Sequence, residues 1–105
     1  MSTIAIEIDK DKLRDFCRRW KITEFALFGS VTRPEVFDDN SDVDVLVTFA
    51  ETSHWTLFDM VDMKEELEAI FERNVDLLTR RGVEQSHNRF RKHAILSSAV
   101  ELDVA

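Results

Sequence analysis

The stretch DVDVLVTF, residues 42–49, alternates with a period of two. Val43, Val45, Val47 and Phe49 fall on one side, and Asp44, Leu46 and Thr48 on the other. Such alternation describes a β-strand with an apolar face committed to a core. It also places Asp42 and Asp44 on the same face, at the mouth of that strand. Two like charges this close repel, and each resists losing its water without compensation. One or two bound divalent cations are the usual way to make the arrangement favourable.

The rest of the chain supplies elements that can flank this strand. Thr23–Phe28 contains the unbroken apolar run Phe25, Ala26, Leu27, Phe28 and stops at Gly29, as a strand buried on both faces would. VDLLT, Val75–Thr79, predicts a third strand and carries Asp76 inside it. If that strand lies beside 43–49, Asp76 joins the carboxylate face. Three carboxylates on neighbouring strands make a hard-oxygen site suited to Mg²⁺ or Mn²⁺. Asp9 can cap a helix over 10–20 with Leu13, Phe16, Cys17 and Trp20 on its buried stripe. A second helix is expected over 54–73, opened by His54 and Trp55. Leu57, Met60, Val61, Leu67, Ile70 and Phe71 form its buried face. Gly82 breaks the chain before a third helix over 83–97, and extended segments are expected at Ile4–Ile8 and Val100–Val104. The order predicts an α/β fold, a small mixed sheet flanked by helices, in a single domain spanning 1–105.

Composition narrows the function. With only two glycines, Gly29 and Gly82, neither a dinucleotide fingerprint nor a Walker A loop can be written, so a phosphate site must be built another way. The single cysteine, Cys17, allows no internal disulfide and no cysteine zinc cage, and reads as a small buried apolar residue. A formal net charge of −7 makes direct nucleic-acid binding a poor expectation. The start MSTIAIEIDK has no basic lead followed by a long apolar stretch, and no apolar run approaches the ~20 residues of a membrane helix. A cytoplasmic protein with no membrane contact is expected. Asp38-x-Asn40-x-Asp42 imitates the opening of a calcium loop, but Val43 and Phe49 stand where that loop needs glycine and glutamate.

Just before the polar loop stands Phe28-Gly29-Ser30. Glycine allows close backbone approach, and the N–H groups after it, with the Ser30 hydroxyl, can donate to phosphate oxygens. A Gly-Ser turn ending one strand, followed by Asp-x-Asp on the next, is a phosphate cradle facing a metal site. FGSVTRPEVFDDNSDVDVLVTF, with VDLLT downstream, resembles the signature of the minimal nucleotidyltransferases (MNT) of the DNA polymerase β superfamily. Eleven residues, Val31–Ser41, separate Ser30 from Asp42, one more than the family usually has, and the polar loop absorbs the difference.

The resemblance implies a polymerase β palm-like fold and a two-metal nucleotidyl transfer. Gly29 and Ser30, with Arg33 and Ser41 of the loop, would hold the nucleoside triphosphate, ATP. Asp42 and Asp44 would bind both Mg²⁺ ions. Asp76 would complete the catalytic shell and help deprotonate the attacking hydroxyl. Small chains of this kind are similar to the antitoxins of HEPN–MNT pairs, which implies AMP transfer to a tyrosine of a HEPN-domain ribonuclease toxin within a hetero-oligomer. Two other functions are weighed: neutralisation of the partner by occlusion alone, and nucleotidyl transfer to a small molecule. The basic run Arg80, Arg81, Arg89, Arg91, Lys92 reads as a solvated helix face, or as a partner or triphosphate contact. Trp55 is weighed as a base-stacking residue against ordinary packing.

Overall fold

In the computed structural model, which describes residues 6, 8–38 and 40–103, the three expected strands lie in one sheet. β1 (Ile22–Phe28) runs antiparallel to β2 (Val43–Phe49), and β2 runs parallel to β3 (Val75–Thr79). A short β4 (Val100–Leu102) pairs antiparallel with β1, so the strand order is β3-β2-β1-β4. A parallel neighbour needs a crossover, which α2 (Leu57–Phe71) provides between β2 and β3. β1 and β2 are the interior strands, which is why Phe25, Ala26, Leu27 and Phe28 are all buried.

Helices cover both faces. Leu13, Phe16 and Cys17 of α1 (Lys10–Arg19) and Met63 and Leu67 of α2 pack with Val43, Val45 and Val47. On the opposite face, Ala26, Phe28 and Leu46 pack with Val83 of α3 (Arg80–Glu84) and Ile95 of α4 (Arg89–Ser98). α1 starts as expected, the Asp9 carboxylate accepting from the Lys12 N–H at 3.2 Å. Cys17 is buried, and desolvation pushes its thiol up to about 12, so it stays a neutral packing residue.

The second and third helices differ from the pattern. α2 begins at Leu57 because Thr56 and Asp59 form a reciprocal capping box, leaving His54 and Trp55 ahead of it. Its buried stripe is Met63, Leu67 and Phe71. Leu57 and Val61, expected inside, are 84% and 54% exposed. At 3.6 residues per turn, positions six and two before Met63 point well away from that stripe. The expected helix over 83–97 is two helices. Thr79 caps α3 at the end of β3, accepting from the Gly82 N–H at 3.0 Å, so Gly82 sits inside a helix. Asn88 then caps α4, accepting from the Arg91 N–H at 3.0 Å. Ile4, Ala5 and Glu7 of the expected first extended segment, and Val104 of the last, lie outside the described residues. Among the described residues, no helix is long and apolar enough to cross a membrane.

Candidate active site

The register of the sheet assembles the site. Asp44 pairs across β2–β3 with Asp76, and across β1–β2 with Phe28. Gly29, the next residue after Phe28, therefore comes over the Asp44 carboxylate. A Cβ on Gly29 would collide with Asp44 Oδ2, and the backbone there has φ +74°, so two independent constraints demand glycine. The chain then turns through a short 3₁₀ segment, Gly29–Thr32, pinned by the buried Val31. Thr32 Oγ1 donates to the Gly29 carbonyl at 2.7 Å, and the Arg33 N–H donates to the Ser30 carbonyl at 2.9 Å.

Asp44 is half-buried, while Asp42 and Asp76 are exposed. Desolvation raises the Asp44 carboxyl to about 6, and the charges of Asp76 and Asp42 push in the same direction. Arg91 of α4 opposes them. Sequence reasoning left Arg91 in a general basic patch, because only the packing of α4 on this face brings it to the carboxylates. The three aspartates thus share one electrostatic neighbourhood. Among the described residues, however, no three His, Cys, Asp or Glu side chains converge closely enough to hold a metal ion as they stand.

The loop before β2 is held from below. Ser41 shares its hydroxyl with Asp38, accepting from the Asp38 N–H at 3.1 Å and donating to Oδ1 at 3.2 Å. Arg73, which the motif did not single out, donates through Nη1 to the carbonyls of Asp38 and Ser41 and lies 4.5 Å from the centre of the Phe37 ring. Arg33 is exposed and borders a cavity of about 510 Å³ beside Gly29, together with Phe28, Thr32 and Arg91. A larger cavity of about 830 Å³ lies towards β3, with Leu77, Leu78, Val83 and Trp55 among its walls. Trp55 also packs edge-on against Trp20, centroids 5.1 Å apart, and donates its indole N–H to the Trp20 carbonyl at 2.9 Å.

Residues 10–101 match the family model described as a nucleotidyltransferase domain. The protein adenylyltransferase MntA of Thermococcus cleftensis is 39% identical over 69 residues, 66% of this chain and 64% of that one. A solved structure provisionally named a minimal nucleotidyltransferase superposes with TM-score 0.65 at 31% identity, over 89% of this chain and 88% of its own. Two toxin–antitoxin structures share the fold. One, containing AMP-PNP, has TM-score 0.67 at 19% identity over 90% of this chain and 72% of that one. The other, the tri-AMPylated HEPN toxin of Shewanella oneidensis with its MNT antitoxin, has TM-score 0.57 at 17% identity, over 88% and 66%.

Proposed function

We propose that this chain, which belongs to the nucleotidyltransferase domain family, transfers AMP from ATP to a tyrosine hydroxyl of a HEPN-domain ribonuclease toxin and acts as its antitoxin. The observation that carries this reading is the register that sets Asp44 beside Asp76 and under the Gly29 turn. The likeness to the adenylyltransferase MntA, and to the fold of an MNT antitoxin in complex with an AMPylated HEPN toxin, supports the acceptor class and a hetero-oligomer.

The donor set is of the kind a hard divalent cation takes: three carboxylates in one electrostatic neighbourhood, where burial and the charges of Asp76 and Asp42 disfavour ionised Asp44 and a counter-charge would favour it. Asp42, Asp44 and Asp76 would hold Mg²⁺, two ions in this reading. Asp42 and Asp76 are exposed, so bringing a cation to them takes little water from their carboxylates. When bound, such ions neutralise charge on the α-phosphate oxygens and lower the pKa of the acceptor hydroxyl. Gly29, Ser30, Arg33 and Ser41 hold the triphosphate, with Arg33 lending positive charge from the rim of the smaller cavity. Asp76 takes the proton of the attacking hydroxyl. The acceptor oxygen bonds to the α-phosphorus, the bond to the bridging oxygen breaks, and pyrophosphate leaves.

The test uses labelled ATP, Mg²⁺ and the HEPN protein purified with its partner. Transfer of label is expected, with loss of at least 100-fold in the Asp42→Asn/Asp44→Asn variant. Undiminished neutralisation of the ribonuclease by that variant would show that occlusion, not transfer, silences the toxin.

A further inference from the structure

Packing, not the Gly-Ser and Asp-x-Asp motif, brings Arg91 to the carboxylate face. Ile95, one helical turn further along α4, is buried with Phe28 and Leu46. Residues four apart share a helix face, so Arg91 lies on the side of α4 that meets the sheet. Asp44 precedes Leu46 by two residues on one face of β2, and the charge of Arg91 acts on it. α4 also packs against the 3₁₀ segment Gly29–Thr32. Arg91 therefore borders the cavity of about 510 Å³ together with Gly29, Thr32 and Arg33. Two arginines from different elements flank one glycine turn. Among the described residues neither makes an ion pair, whereas Arg14 and Arg19 do.

A planar guanidinium presents paired donors that match phosphate oxygens, and two unpaired ones on a single cavity wall favour an anion between them. We propose that Arg91 is a second arginine of the triphosphate site, alongside Arg33, and that its charge couples nucleotide binding to cation binding at the three aspartates. This rests on the nucleotidyl-transfer reading above and adds to it a binding residue and a reason for the two ligands to load together.

The coupling follows from the sign of the charges. Without nucleotide, Arg91 already offsets part of the repulsion among Asp42, Asp44 and Asp76, and its positive charge opposes a divalent cation arriving at the same place. Phosphate oxygens that engage the guanidinium neutralise it. A cation then meets the carboxylates without the opposing arginine. The effect is reciprocal: whatever the triphosphate adds to cation affinity, the cation adds to triphosphate affinity. Cation binding to the protein alone is correspondingly held back.

One substitution should move two affinities in opposite directions, which a merely structural role would not do. In Arg91→Gln, AMP-PNP binding at saturating Mg²⁺, measured by titration calorimetry on the full chain, is expected to weaken about 10-fold or more, the loss of one charge-assisted phosphate contact. Mn²⁺ binding to the same variant without nucleotide is read by electron paramagnetic resonance as the part that Asp44→Asn abolishes. It is expected to strengthen about threefold. Arg91→Lys keeps the charge and loses the planar fork, so Mn²⁺ affinity should stay level and AMP-PNP affinity fall between the other two. Arg89→Gln removes the same charge from the far side of α4, two residues away and bordering neither cavity, and is expected to leave both affinities within about twofold. Both arginines are exposed, and the Asn88 cap uses only the Arg91 backbone N–H, so the variants keep the fold. Failure of the unaltered chain to bind AMP-PNP overturns the nucleotide reading itself. AMP-PNP bound equally by the unaltered chain and by Arg91→Gln, or weakened as much by Arg89→Gln, overturns the role of Arg91 alone. Mn²⁺ affinity that falls or stays level in Arg91→Gln overturns the coupling.

Discussion

At Asp44 the fold holds a charge it would be more stable without. The carboxyl sits at about 6 in the folded chain against 3.8 ordinarily, so its proton is bound more tightly folded than unfolded. Stability from this group is complete below pH 4 and is lost as pH rises through 6. Two pK units correspond to about 3 kcal/mol, and partial exposure to solvent reduces this to about 1 kcal/mol. Asp44→Asn is therefore expected to stabilise the metal-free protein by about that amount at pH 7.5 and by nothing at pH 4, in paired urea titrations. Gly29→Ala carries the opposite sign: a left-handed backbone and a collision with Asp44 predict a loss of about 1–3 kcal/mol by the same measurement. That Asp44 lies beside Asp76 and against Gly29 was legible in the sequence, because strand period and turn chemistry are local. Arg91 was not, since its meeting with Asp44 depends on how α4 crosses the far face.

At the scale of elements, the strands were read almost to the residue, because alternation and continuous apolar runs state how many faces are covered. The helices were read less well where capping competes with periodicity. A single apolar pattern over 83–97 hid the cap at Asn88, and Gly82 passed for a breaker because the Thr79 cap was overlooked. Asn88→Ala is expected to cost about 1 kcal/mol, seen as a lower urea midpoint with an unchanged slope. Between elements, Glu66 of α2 ties α1 down: Arg19 Nη1 donates to it at 2.8 Å and the Trp20 indole at 2.6 Å. Burial would raise the Glu66 carboxyl, and these hydrogen bonds outweigh it and hold it below the usual range. The sequence spacing contained no signal for this contact, which joins residues 47 and 46 positions apart.

For the whole molecule, the acidic excess of −7 is distributed unevenly: α2 carries Asp59, Asp62, Glu65, Glu66 and Glu68 against the single Lys64, while α1 and the α3–α4 pair are each rich in basic residues, of which Arg91 faces Asp44. In the nucleotidyl-transfer reading proposed above, a divalent cation entering at the carboxylates would offset their mutual repulsion and let the triphosphate approach. MgATP at 100 times its Kd is expected to add about 2.7 kcal/mol and raise Tm by about 10 °C or more. The same addition to Asp44→Asn should leave Tm nearly unmoved, as differential scanning calorimetry would show.

The paired indoles give this small protein its own optical gauge. Trp20 and Trp55 are its sole tryptophans, 5.1 Å apart and crossed at 75°, and no tyrosine competes with their emission. Since Trp55 also forms part of the larger cavity's wall, whatever settles there changes the surroundings of one half of the pair. Arrival of a guest can thus be followed by ultraviolet fluorescence in real time, with no dye attached.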